Sequence, residues 1–368
     1  MKVIAMGYTA TGSSALVHLL KEYSNCYDVD SKNYEHNILY VPNGMFDLED
    51  VLLNNNSMYR SDAALNAFYK EMKNLNDNDY DWFGGYKKRF GNRFMEIVDE
   101  FISSLIIYSR DGGWSYDHQF KFSVGNVIKD IAKKCIGKDV KRFGYRIDIK
   151  GHDNITNYSF PTEEEFYRAG RKFIDNYFEM VGYKKNRIYV FDQFIEPWQL
   201  YRINRYFDDD IRFVVFDRDP RDTFLLHKYI WSQSHPYYLM PNDVKEFVDF
   251  YSRMYEMEKW IDDPRILRVR FEDLIYNYSD SVNMIEQFIG KELLGEHKYQ
   301  KEFFNPDISI KNTQLFTIDG KWNEEVSTMI DSELSKHIYD FPYQHKTTLD
   351  DVTDPNPDTS KKANIVGD

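Results

Sequence analysis

The sequence predicts an α/β fold: a mainly parallel sheet flanked by helices, with a large helical insertion. Three observations predict it. A short apolar strand opens the chain and runs through a Gly/Ser/Thr turn into a helix. Strands alternating with helices return from Asn186 onward. Between the two lies a long stretch with helical spacing and no strong strand pattern. Strands linked by helices of this size form βαβ units, so the sheet is expected to be parallel and covered on both faces.

Val3-Ile4-Ala5-Met6 has the length of a buried strand, and Leu16, Val17, Leu19 and Leu20 mark one face of the helix after it. Between them stands Thr9-Ala10-Thr11-Gly12-Ser13-Ser14. Glycine lets a ligand approach the backbone closely, successive N–H groups converge, and the helix N-terminus adds partial positive charge. The segment therefore reads as an anion cradle, or as an ordinary Ser-capped helix after a strand. It is not a nucleoside-triphosphate loop of the form GxxxxGK[ST], because Ser13 occupies the lysine position.

A polar stretch, Glu22 to Glu35, leads to the apolar piece Ile38-Leu39-Tyr40-Val41, which Pro42-Asn43-Gly44 ends. A helix restarts at Phe46. Helical spacing recurs around 60–75, 86–109, 116–137 and 163–182, which makes about 45–185 the expected insertion, an acceptor or lid region. Its basic cluster Lys87-Lys88-Arg89…Arg93 is either a solvated helix face or a patch facing an anionic acceptor. Strands are then expected at 187–191, 211–216 and 266–271, and helices at 198–206, 223–231, 242–261 and 279–289. One domain spans about 1–345, and the polar, Pro-containing residues 346–368 read as a disordered tail.

Composition narrows the function classes. The net charge of −13 argues against generic nucleic-acid binding, so an anionic ligand needs a local positive cluster. No apolar run of about 18 residues occurs, so no membrane span is expected. Met1-Lys2 leads directly into the first strand, so no signal peptide is expected. Cys26 and Cys135 are the only cysteines, too few for a disulfide framework or a cysteine metal site, and they suggest a reducing compartment. A cytoplasmic protein is expected. With 29 Tyr and 27 Phe the chain is rich in aromatic residues, which serve as core or line carbohydrate and nucleotide clefts.

Two further constellations end strands. Asp217-Arg218-Asp219-Pro220-Arg221-Asp222 places two arginines at the carboxyl end of a buried strand, where open α/β sheets bind ligands. Arginine suits bidentate phosphate recognition, though two aspartates could equally tie the arginines into a helix cap. Arg268-Val269-Arg270-Phe271-Glu272-Asp273-Leu274 reads as structural, with Glu272 and Asp273 capping a helix or pairing with Arg218 or Arg221.

These elements, in this order, resemble the sulfotransferase family. Its members open with a strand–loop–helix reading roughly PRSGTT, followed later by a strand ending in RDPRD and by a [RK][YF]EDL strand end. Here stand Thr9-Ala10-Thr11-Gly12-Ser13-Ser14, Arg218-Asp219-Pro220-Arg221-Asp222 and Arg270-Phe271-Glu272-Asp273-Leu274. Tyr189-Val190-Phe191-Asp192-Gln193 with Glu196-Pro197 looks like the family's EK-x-P segment. The resemblance covers about residues 3–30 and 187–290, plus a weaker C-terminal loop. A TATGSS-like loop is familiar among bacterial sulfotransferase-like sequences, with a glutamate leading into a polar-aromatic strand, a place that Glu35-His36-Asn37-Ile38-Leu39 fits.

The resemblance implies a P-loop-NTPase-like sheet and transfer of a sulfuryl group from 3′-phosphoadenosine 5′-phosphosulfate to an acceptor, without a metal, leaving 3′-phosphoadenosine 5′-phosphate. The acceptor is expected to be a carbohydrate or another small hydroxyl compound, with Trp82, Tyr86, Trp114 and Tyr116 available to stack on sugar rings. Thr9, Ala10, Thr11, Gly12, Ser13 and Ser14 would hold the 5′-phosphosulfate. Arg218 would hold the 3′-phosphate, with Lys311 of Lys311-Asn312-Thr313, or else Lys321, helping from a C-terminal loop. Glu35 and its neighbour His36 are the candidate acid–base groups. Two positions depart from the pattern. Ala10 stands where Lys or Arg is usual, with Lys32 or Lys228 as replacement cations. Leu226 stands where a phosphate-binding serine is usual, with His227 or Thr223 as replacements. A kinase with Asp192 or Asp217 as magnesium ligand, and a non-catalytic nucleotide- or glycan-binding relative, are the alternatives.

Overall fold

Three buried, largely apolar strands, Lys2–Gly7, Ile188–Asp192 and Ile211–Asp217, decide the architecture. The computed structural model describes residues 1–28, 34–80, 82–112, 118–140, 145–149, 155–231, 240–349 and 352, of which 28, 118–122, 145–149 and 231 are described by backbone alone. Its strands are β1 (Lys2–Gly7), β2 (Cys26–Asp28), β3 (Tyr108–Asp111), β4 (His118–Phe122), β5 (Tyr145–Ile149), β6 (Ile155–Tyr158), β7 (Ile188–Asp192), β8 (Ile211–Asp217) and β9 (Ile266–Arg270). The α-helices up to residue 180 are α1 (Ser13–Leu20), α2 (Met45–Glu49), α3 (Met58–Asp77), α4 (Tyr86–Phe90), α5 (Arg93–Leu105), α6 (Val124–Cys135) and α7 (Glu163–Met180). Then come α8 (Ile203–Tyr206), α9 (Pro220–Leu225), α10 (Val244–Glu256), α11 (Asp273–Tyr276), α12 (Tyr278–Ile289), α13 (Lys291–Leu294), α14 (Pro306–Ser309) and α15 (Gly320–Val326).

The chain divides into two units. The first comprises residues 1–41, 74–95 and 174–368. It holds a five-stranded sheet in the order β2-β7-β1-β8-β9, with every pairing parallel, as the alternation of strands and helices predicts. β1 lies at the centre, flanked on both sides, and all six of its residues are buried. Leu16, Leu19 and Leu20 of α1 and Ile285 and Ile289 of α12 bury against Val3, Ala5, Val190, Val214 and Val269, which closes one face of the sheet. Each such side chain removed from water contributes about 1.5–3 kcal/mol.

The second unit comprises residues 42–73 and 96–173. Phe68, Phe101, Phe166 and Phe173 form its aromatic core, with ring centroids 4.9–6.2 Å apart in tilted and edge-on pairs. Here the sequence expectation needs correction. Besides helices there are two antiparallel pairs, β3 with β6 and β4 with β5. The helix expected over 116–137 is α6 alone, and 118–122 is strand. His118-Gln119-Phe120-Lys121-Phe122 does alternate, but over too few turns of the pattern to outweigh its helical surroundings.

Another correction concerns the strand beside β7. Cys26–Asp28 supplies it, inside the stretch that reads as polar, whereas Ile38 and Leu39 are fully buried in a turn. The helix expected over 223–231 starts earlier, at Pro220, and widens to π-helical turns over Leu226–Trp231. Much of the expected tail, residues 350, 351 and 353–368, lies outside the described residues, and Thr347 just before it is buried. Among the described residues no helix is long and apolar enough to cross a membrane.

Candidate active site

The carboxyl edge of the sheet gathers the polar residues that the sequence singles out. After β1 the backbone turns through Thr9 (φ 57°), Ala10 (φ 60°) and Gly12 (φ 97°) before α1 begins. Left-handed conformations at two non-glycine residues cost free energy, so the surroundings must hold them. The Thr11 hydroxyl accepts from the Tyr8 N–H at 2.9 Å and donates to the Phe216 carbonyl at 2.7 Å, which pins the loop to β8. The Tyr251 hydroxyl donates to the Tyr8 carbonyl at 2.6 Å. A Cβ on Gly12 would stand 2.6 Å from the Phe271 ring, so both space and φ demand glycine. No side chain caps α1, and the Ala15 N–H donates to the Gly12 carbonyl at 2.9 Å.

Arg218 follows β8 directly and is 4% exposed. Its Nη1 donates to the Ala10 carbonyl at 3.4 Å, its Nη2 donates to the Asn312 carbonyl, and its guanidinium lies 4.8 Å from the Phe271 ring centre. Its Nε has no hydrogen-bond partner. Among the described residues no carboxylate is within ion-pair distance of it. The second arginine differs. Arg221 is locked to Asp219 through Nε and Nη2 at 3.0 and 2.7 Å, and Asp219 caps α9 by accepting from the Arg221 N–H at 2.9 Å.

The C-terminal loop reaches the same place. Asp222 accepts from the Gln314 and Leu315 N–H groups at 2.8 and 2.7 Å, which brings Lys311-Asn312-Thr313 beside Arg218. Lys321 sits on α15 and is exposed. His227 is buried, and burial followed by the Arg218 charge pushes its pKa down to about 3, so its ring is neutral. Thr223 spends its hydroxyl on the Asp219 carbonyl at 3.1 Å, inside its own helix, and Leu226 is buried. Lys228 is bonded to Glu325, so it is not a spare cation for the loop. Lys32 lies outside the described residues.

β7 ends beside the loop in a group of carboxyls. The Ser14 hydroxyl donates to Asp192 Oδ2 at 2.9 Å. Glu35 forms a parallel bridge to Asp192, and the His36 N–H donates to the Asp192 carbonyl at 3.1 Å. Burial, then the neighbouring charges of Asp192 and Glu196, push the Glu35 pKa up to about 8. Burial likewise raises Glu196 to about 7. Residue-by-residue reading named Glu35 but left Asp192 and Glu196 out of the acid–base group. Their positions, at and just beyond the carboxyl end of a buried strand, were the available signal.

His36 takes the opposite side of the chain from Glu35. Its Nδ1 is 2.7 Å from the Tyr177 hydroxyl, and its ring sits edge-on to Tyr34 and Phe191 at centroid distances of 5.0 and 5.1 Å. Burial holds its pKa down near about 3. That environment is an aromatic core, and it corrects the expectation that His36 could exchange a proton with an acceptor. Tyr86 is also core, stacked on Phe94 at 4.2 Å, rather than a sugar platform. Trp82 supports Glu35 through its backbone, whose carbonyl accepts the Glu35 N–H at 2.7 Å. Trp114 and Tyr116 lie outside the described residues.

In the basic cluster, Lys88 pairs with Asp79 at 3.3 Å and Arg89 lies 3.9 Å over the Tyr34 ring. Glu272 and Asp273 do not pair with Arg218 or Arg221. Glu272 accepts from the Asp219 N–H at 2.7 Å and Asp273 accepts from the Tyr339 hydroxyl at 2.7 Å. A cavity of about 1130 Å³ lies elsewhere, at the amino edge of the sheet around Lys2, Phe178, Tyr183 and Asp210.

No protein-family model and no curated protein matches this chain. Among solved structures it is similar to the sulfotransferase domain from the olefin synthase of Synechococcus PCC 7002, at 12% identity over 93% of this chain and 94% of that one, with a TM-score of 0.35. It is also similar to the sulfotransferase domain from the curacin biosynthetic pathway, at 13% identity over 94% and 92%, with a TM-score of 0.34. At these values neither likeness carries an argument about what this chain does.

Proposed function

We propose that this protein is a sulfotransferase whose donor, 3′-phosphoadenosine 5′-phosphosulfate, binds at the carboxyl edge of the sheet, and whose acceptor is a hydroxyl group, in our reading one on a carbohydrate. One observation carries the proposal. Arg218 is a buried guanidinium with no carboxylate partner, set against a loop whose backbone is bent to face an anion. A buried charge without a counter-ion is costly, and an anionic ligand removes that cost. The donor supplies an activated sulfuryl group and two phosphate positions that need cations or N–H donors.

Each residue then has a task. The N–H groups of Gly12, Ser13 and Ser14, with the α1 dipole, hold the 5′ end and stabilise charge on the leaving oxygen. With Ala10 in place of a basic residue, that stabilisation comes from backbone and hydroxyl donors rather than from a side-chain cation. Arg218 holds the 3′-phosphate, with Lys311 at its edge and neutral His227 behind it. Glu35 accepts the acceptor's proton as the new O–S bond forms and the S–O bond to the 5′-phosphate breaks. A group whose pKa sits near 8 suits that task, since it ionises close to the working pH.

One observation favours a second reading. A serine following the loop glycine and hydrogen-bonded to a strand-end aspartate, as Ser14 is to Asp192, is also how P-loop kinases prepare a magnesium site. Calorimetric titration decides between them. The sulfotransferase reading expects 3′-phosphoadenosine 5′-phosphate to bind in the micromolar range and ATP–Mg²⁺ to bind weakly or not at all. Preference for ATP–Mg²⁺ sinks it. Binding without turnover on any acceptor would leave a non-catalytic relative.

A further inference from the structure

Folding buries apolar surface, and α6 does the reverse. At about 100° per residue, Val124, Ile128, Ile131 and Cys135 fall on one stripe of this helix. Val124, Ile128 and Ile131 are 68%, 63% and 50% exposed, and Ile136, immediately after the helix, is 68% exposed. On the opposite side Asp130 is fully buried. The helix is thus anchored at Asp130, with Asn126 and Val127 half-buried beside it, and presents its apolar stripe outward. Isolated exposed apolar residues need no explanation, but an unbroken helical stripe of them marks a surface that something covers.

The charges around the stripe say what covers it. Lys134 and Lys129 flank the stripe at about 90° on one side and about 130° on the other, and Lys133 lies behind it. Past the helix the chain turns through Gly137 (φ 74°), where the Lys138 N–H donates back to the Lys133 carbonyl at 2.9 Å. That closure keeps Ile136 and Lys138 next to the last turn. Residues 124–138 therefore carry four lysines against one aspartate, a local charge of +3 in a chain whose net charge is −13. Lysines beside an apolar stripe can lay their stems along hydrocarbon while their ammonium groups meet phosphates.

We propose that α6 is an interfacial helix that seats its apolar stripe in an anionic lipid bilayer, with its lysines against the headgroups. The helix lies on the membrane rather than crossing it, because its 12 residues fall short of the roughly 20 that a span requires. The inference is independent of the donor site and stands or falls separately from it.

Flotation of the full chain with two kinds of vesicle tests it: phosphatidylcholine alone, and phosphatidylcholine mixed with phosphatidylserine. At low salt the mixed vesicles should bind about a hundredfold more strongly than the neutral ones, since three surface lysines contribute about 1 kcal/mol each. High salt should remove most of the difference. Ile128→Asp with Ile131→Asp should abolish binding and leave the thermal melt unchanged, because both residues are already exposed. Lys129→Glu with Lys138→Glu should lower binding at least tenfold and flatten its salt dependence; this pair decides should the first variant unfold. Absence of binding to the mixed vesicles at low salt overturns the proposal, and so does equal binding to both kinds. Sedimentation showing that the stripe pairs two copies of the chain, with no vesicle binding, overturns it as well.

Discussion

The two edges of the same sheet differ in how they treat charge. At the amino edge lies a cavity of about 1130 Å³, yet its central cation is satisfied: Lys2 pairs with Asp210 at 2.9 Å, lies over the Phe178 and Tyr183 rings at 5.1 and 4.9 Å, and shares Asp210 with the Tyr183 hydroxyl. Arg265 nearby is matched to Asp263. At the carboxyl edge, by contrast, Arg218 is buried without a carboxylate in ion-pair distance, and Thr9, Ala10 and Gln193 are held at positive φ. Empty space is a by-product of packing, whereas an uncompensated charge costs free energy in every molecule that folds. Maintaining that cost makes sense where a ligand offsets it, so unpaired charge, not volume, points to the functional edge.

The sharpest way to break this contrast is at Glu35. If the carboxyl edge works as proposed, Glu35→Gln lowers turnover by about 10² to 10⁴ and leaves nucleotide binding nearly unchanged. The pH profile gives a second check. Glu35 is active as a base when deprotonated, so the wild-type rate should climb with pH and level off above about 8, while the variant's should be flat. Stability should run the other way. A carboxyl raised from its ordinary value to about 8 leaves the folded state holding a proton that the unfolded state releases. Folding therefore weakens as pH rises from about 4.5 to 8, and Glu35→Gln should remove part of that decline in urea melts.

Arg218→Ala comes next. Losing a charged phosphate contact costs about 2–3 kcal/mol, so affinity for 3′-phosphoadenosine 5′-phosphate should fall about 30- to 150-fold in a calorimetric titration. Without ligand the variant should be no less stable than the wild type by more than about 1 kcal/mol, because it removes a buried charge that lacks a partner. A large loss of apo stability would mean that Arg218 is a structural strut, and the contrast between the edges would fail. Gly12→Ala should cost about 1–3 kcal/mol in a thermal melt, since alanine meets both a positive φ and the Phe271 ring.

Much of the first unit was legible because its signals are local. Val3–Met6 and Phe213–Phe216 are apolar runs of strand length, and parallel strands buried on both faces leave no alternation to misread. The loop at Thr9–Ser14 could be placed because a glycine and hydroxyl residues stand between an apolar strand and a helix, and a Cβ on Gly12 would meet the Phe271 ring. What stayed hidden depends on distant partners. Cys26–Asp28 is a strand because β7 offers it an edge, and nothing in a three-residue polar-flanked stretch announces that. Which arginine is free could not be read from Arg218-Asp219-Pro220-Arg221-Asp222, since either may fold back on Asp219; the helix cap selects Arg221. His36 and Glu35 are adjacent in sequence, and only the aromatic wall of Tyr34, Phe191 and Tyr177 separates a core histidine from the half-buried acid beside it.

The smallest effect is expected at the amino edge, and it tests the comparison from its other side. Lys2→Ala removes an ion pair and two ring contacts around a cation that is mostly shielded, against an aspartate that is about half exposed. Such a pair contributes about 1 kcal/mol, screened by salt. Asp210 titrates below the ordinary carboxylate range; burial works against that, and the Lys2 hydrogen bond and charge outweigh it. Its contribution to stability is therefore present at neutral pH and is lost as pH falls through its folded value. In Lys2→Ala the acid limb of a stability curve should become shallower in that window, while nucleotide affinity stays within twofold or so of the wild type. A variant that loses nucleotide binding along with the ion pair would place a ligand at the large cavity after all, and the argument from unpaired charge would have chosen the wrong edge.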